Sequence, residues 1–101
     1  MRIDIRPRGG GKTISLIQES AVHQVPIVCA THEEAVRIIR VAKESGYNIP
    51  TPIAMREVEK LKGLTHQCLV DNADWVLERF LGAKVVKATF TEDYGRIEPT
   101  F

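Results

Sequence analysis

The sequence predicts an α/β domain in three layers, a small parallel sheet of about four strands covered by helices. Two observations carry that prediction. Short apolar runs alternate with stretches of helical periodicity along most of the chain, and the chemistry-bearing residues fall where those runs end. The first such place is a glycine run closing on Lys12 and Thr13; the second is an acidic residue, Asp71, that ends the run Gln67 to Val70.

Arg2 to Ile5 alternates polar and apolar side chains and reads as a first, short strand. From Lys12 to about Glu19, Ile14, Leu16 and Ile17 suit a helix with one buried face. Pro26 to Ala30 is a buried-strand run with proline at its mouth, where a missing donor is tolerated. Thr31 and Glu34 have the spacing of a capping box and start a second helix, with Ala35, Ile38, Ile39 and Ala42 on one face and Gly46 as its stop. Tyr47 to Pro52 is a connector. Pro52 then opens a third helix carrying Met55, Val58 and Leu61 and ending at Gly63. Gln67 to Val70 is a third strand, Trp75 to Leu81 a helix stopped by Gly82, and Lys84 to Thr91 a fourth strand. Residues 92–101 are polar and read as a loose tail or a short hairpin return. Trp75 and Phe80 are assigned to the core.

The whole chain, 1–101, reads as one domain. A formal net charge of +1 supplies no global field that would argue for nucleic acid or a membrane surface. No apolar run approaches the ~20 residues of a membrane helix. No apolar segment follows Met1 to Asp4 as in a secretion signal, so the expected location is the cytoplasm. Cys29 and Cys68 lie in expected core strands without metal spacing and read as small buried hydrophobes. His23, His32 and His66 are dispersed and share no ligand spacing.

Arg8, Gly9, Gly10, Gly11, Lys12 and Thr13 have the composition of a polyphosphate cradle. Glycines let the backbone approach an anion closely, and the N–H groups of the loop and helix start then face it. Lys12 would reach the terminal phosphates and the Thr13 hydroxyl would hold Mg2+. The full pattern is G-x-x-x-x-G-K-[ST], in which Arg6 stands at the first glycine. The plain alternative is a glycine-rich turn ahead of a helix that starts at Lys12. Asp71, at the mouth of a strand, is placed to hold the same metal ion; read plainly, it caps the following helix, with Asp74 in that helix's first turn.

On these residues the chain resembles the P-loop NTPases of the helicase, recombinase and terminase type. Arg8 to Thr13 looks like the Walker A loop, and Leu69 to Leu77 like a Walker B strand running into its helix. Pro26 to Thr31 and Lys87 to Thr91 are similar to the second strand and to the strand after Walker B. The likeness spans Ile3 to Thr91 and resembles a minimal phage or mobile-element version. It implies a sheet ordered first, fourth, third, second strand, with ATP or another nucleoside triphosphate and Mg2+ as cofactors. It further implies metal ligation by Thr13 and Asp71, and phosphate sensing by Thr89. Asn72 occupies the position of the catalytic glutamate, and Asp74 is the nearest substitute, which implies nucleotide binding with weak or no hydrolysis. The chain is too short for the second lobe of a full helicase. Two other functions compete: a relic scaffold that binds a protein or nucleic acid without nucleotide, and an ATPase completed by a neighbouring subunit of a homo-oligomer.

Overall fold

A computed structural model of the chain describes residues 1–6, 11–63 and 67–91. The order of elements is α1 (Lys12–His23), β1 (Ile27–Cys29), α2 (His32–Glu44), β2 (Ile53–Ala54), a 3₁₀ helix (Met55–Gly63), β3 (Leu69–Val70) and α3 (Ala73–Leu81). The strands form one parallel sheet ordered β2-β1-β3, with Val28 opposite both Ile53 and Val70. The coarse α/β class is thus observed, with a sheet of three described strands instead of the four expected.

Local signals account for the first two helices. Gly11 precedes α1 at φ +79°, a left-handed backbone that glycine adopts without penalty. At α2 the Thr31 hydroxyl accepts the Glu34 N–H at 3.2 Å, which caps the helix start. Its far end is a Schellman turn: Tyr47 N–H reaches the Ala42 carbonyl at 2.8 Å and Gly46 N–H the Lys43 carbonyl at 3.2 Å, with Gly46 at φ +79°. Ile17 of α1 and Ala35, Ile38 and Ala42 of α2 pack on Ile27 and Cys29 of β1, which is buried along its whole length. A continuous apolar strand is what the centre of a covered parallel sheet requires. Pro26 lacks a donor but its carbonyl accepts the Leu69 N–H at 2.9 Å, so the proline costs the ladder nothing on that side.

Five expectations are corrected. Arg2 to Ile5 forms no strand: Arg2 pairs with Glu19 of α1 at 2.7 Å, and Ile5 is 77% exposed. Lys84 to Thr91 also forms no strand. The Val85 N–H is taken by the Glu78 carboxylate at 2.8 Å, and Val86 is 91% exposed, so its alternating pattern meets no partner strand. The expected third helix begins instead with β2, because Ile53 and Ala54 add to the edge of β1 before the chain tightens into the 3₁₀ helix. Trp75 and Phe80 are exposed, not core, since the sheet edge that α3 was expected to cover stops at β3. Cys68 is likewise exposed, and both cysteines are free. The expected strand order keeps one neighbour relation, β1 beside β3.

Candidate functional site

The sheet ladder continues one residue beyond β3, where Asp71 N–H donates to the Val28 carbonyl at 2.9 Å. That bond holds the Asp71 backbone at the C-terminal end of the sheet, the edge at which open α/β sheets bind ligands. Its carboxylate turns inward and is 2% exposed. The first turn of α1 meets it there, with Thr13 Oγ1 lying 3.4 Å from Asp71 Oδ2 across 58 residues of sequence. This is at the outer limit of a hydrogen bond. It is close to the roughly 3 Å between adjacent oxygens around an octahedral ion bonded at ~2.1 Å.

The other carboxylate oxygen, Asp71 Oδ1, is buried without a hydrogen-bond partner among the described residues. An orphaned buried carboxylate oxygen is costly unless a cation or proton meets it. Burial accordingly pushes the Asp71 carboxyl above its ordinary range. Arg37 and the Thr13 hydroxyl pull the other way, Glu34 adds to the rise, and Lys12 opposes it. The donor set fits Mg2+, which is commonly held by one or two protein oxygens with the rest supplied by water and phosphate. Among the described residues no group of three His, Cys, Asp or Glu side chains forms a self-sufficient metal site.

Arg37, which sequence reasoning passed over, and Glu34, read there only as part of a capping box, complete the cluster. Arg37 of α2 lies 2.7 Å from the Glu34 carboxylate and 3.6 Å from Asp71 Oδ2. The helix brings Glu34 and Arg37 onto one face three residues apart. Only the packing of α2 on the sheet brings that face to Asp71, so no linear spacing could have flagged it; an acid and a base one turn after a capped helix start were the available sign. Cys29 of β1 is buried, and burial, then Glu34 and Asp71, push its thiol up to about 11, which disfavours the thiolate.

The remaining expected residues divide. Gly11 and Lys12 sit at the start of α1, and the Arg6 guanidinium comes to 3.8 Å of the position a Gly11 side chain would take. The residue at the first glycine of the Walker pattern therefore brings a cation, itself paired with Asp4 at 3.0 Å, to the helix N-terminus. Arg8, Gly9 and Gly10 lie outside the described residues, as do His66 and the tail 92–101. Asn72 caps α3 with no side-chain cap bond, at φ +52°, a left-handed conformation that asparagine tolerates better than most residues. Asp74 lies in the first turn of α3 and lines a different feature, an apolar groove of about 530 Å³ with Leu77, Phe80 and Phe90. Thr89 is exposed on the segment outside the sheet.

Replacing Asp71 by Asn is expected to stabilise the ligand-free fold at neutral pH, because burial is the largest influence on this carboxyl and acts against its charge. The folded-state pKa lies above the unfolded value, so the native protein gains stability as pH falls through the folded value towards about 4. The advantage of Asp71→Asn should therefore shrink between pH 7 and pH 4.5 in parallel urea titrations. A variant less stable than native at pH 7 would mean that the Arg37 pairing outweighs burial.

Among the described residues no helix is long and apolar enough to cross a membrane. Comparison with protein-family models, with curated proteins and with solved structures finds no match for this chain.

Proposed function

We propose that the chain binds a nucleoside triphosphate with Mg2+, most simply ATP, at the junction of α1 and β3, in the manner of P-loop proteins, and turns it over slowly or not at all. The observation that carries this reading is the meeting of Thr13 with a buried Asp71 whose second oxygen is unpartnered. Thr13 and Asp71 would hold the metal, and Lys12, at the positive end of α1, would meet the phosphates. Bound Mg2+ would offset phosphate charge. The described residues of the loop contribute Gly11, which precedes α1 with a left-handed backbone and no side chain of its own, beside the Arg6 guanidinium.

Thermal melts with Mg-ATP, Mg-GTP and inorganic phosphate test the reading. Ligand at a hundred times its dissociation constant raises stability by about 2.7 kcal/mol. Lys12→Ala is expected to abolish that rise while leaving the circular dichroism spectrum and the ligand-free melting point near native, because Lys12 serves the ligand and not the core. Unchanged ATP affinity in Lys12→Ala would remove the phosphate cradle from the account. One observation favours the second reading, a scaffold for a protein partner: α3 and the segment after it leave Phe80 and Phe90 exposed on one apolar groove. Melts indifferent to every nucleotide would favour it.

A further inference from the structure

We propose that Arg37 makes metal binding at the Thr13–Asp71 pair conditional on a polyphosphate, so that the site accepts a metal–nucleotide complex and rejects the free divalent ion. This rests on the reading of that pair as a metal–phosphate site. Four charged groups belong to it: the Asp71 and Glu34 carboxylates, the Arg37 guanidinium bridging them at 3.6 and 2.7 Å, and the ammonium of Lys12, the residue before Thr13. Arg6, beside the start of α1, is paired with Asp4 and adds no net charge. Two negative and two positive charges cancel. A free divalent ion would therefore enter a site with no net charge to attract it, beside a guanidinium that repels it. A metal–triphosphate complex instead brings surplus negative charge, which Arg37 and Lys12 attract.

Arg37 is suited to that second role. Its side chain is 37% exposed, and Nη2 alone makes the approaches to Glu34 and Asp71, which leaves its other nitrogens uncommitted to these carboxylates. Its planar fork can take a phosphate through two bonds at once. Glu34 holds the guanidinium in place, and the Thr31 cap holds Glu34 at the first turn of α2. Arg37 is thus a positioning and selectivity residue that acts on the ligand through charge.

Removing Arg37 leaves the cluster net negative, and two affinities then move in opposite directions. The free ion binds more tightly and the metal–nucleotide complex more weakly. A purely structural role would lower both or leave both alone. At the dielectric of bulk water, one unit charge about 6 Å from a divalent ion changes its affinity by roughly tenfold.

The test is titration of the full chain with Mn2+, followed by the loss of its free-ion paramagnetic resonance signal, with and without ATP. Arg37→Gln is expected to bind free Mn2+ about tenfold more tightly than native and Mn-ATP at least several-fold more weakly. Arg37→Lys should return both towards native, and Glu34→Gln should move both the other way. Asp71→Asn placed in the Arg37→Gln background should remove the gained Mn2+ binding, which locates it. Parallel falls in both affinities, or no change in free-ion binding, overturn the proposal. If the native chain takes up no Mn-ATP, the nucleotide reading fails. The free-ion measurement then still decides the charge role of Arg37, which an unchanged Mn2+ affinity in Arg37→Gln rejects.

Discussion

Ile38→Ala is expected to cost about 2–5 kcal/mol, a large share of the ~5–15 kcal/mol that holds a small domain together. Ile38 is fully buried at the centre of α2, against Ile17, Ile27, Cys29, Ala35 and Ala42. Truncation there loses the transfer energy of the deleted groups and leaves a cavity that two helices and a strand must close around. The described core is small, and two of the six residues in this cluster are alanines that have little volume to move into the gap. Urea denaturation, with Ile38→Val as the graded control at about 0.5–1.5 kcal/mol, measures the loss. Phe80→Ala on α3, where the ring is 68% exposed, should cost much less despite removing a larger side chain. The reverse ranking would place the structural centre of the domain at α3 and the groove beside it.

That contrast also marks how far the sequence reaches. Periodicity and end signals define α1, α2, β1 and the end of α3, because a capping threonine, a glycine stop or an apolar face acts within a few residues of itself. The Thr31 cap and the Gly46 turn were readable for that reason. Alternation in 2–5 and 84–91 failed because a strand exists only where another strand pairs with it, and pairing is not a local property. Ile53 and Ala54 were missed for the converse reason: two residues beside Pro52 carry no period, and only the open edge of β1 makes them a strand. The candidate site divides in the same way. Thr13 and Asp71 were legible because each sits at a punctuated element end. The Glu34–Arg37 pair was not, because its meaning depends on which neighbour the face of α2 meets.

Hydrolysis of bound ATP by the native chain is expected to be slow, with a deficit of ~10²–10⁴ against a site that has a positioned general base, or on the order of 3–5 kcal/mol of barrier. The residue following Asp71 is Asn72, whose carboxamide can hydrogen-bond a water but not accept its proton near neutral pH. The two carboxylates with any claim to replace it are otherwise engaged: Glu34 is held by Arg37 at 2.7 Å, and Asp74, in the first turn of α3, lines the apolar groove. The backbone at Asn72 adds a reason for asparagine beyond chemistry, since φ of +52° disfavours a longer side chain by roughly 1–2 kcal/mol. Asn72→Glu should therefore lose about that much stability while gaining at least tenfold in single-turnover rate, if the carboxylate reaches the attacking water. Asn72→Gly is the control that keeps the left-handed backbone and supplies no polar group; its rate should match native or fall below it. A native rate on the order of one per second contradicts the expected deficit. If that rate then collapses in Glu34→Gln, the glutamate held by Arg37 is the base; if it collapses instead in Asp74→Asn, the base is at the start of α3.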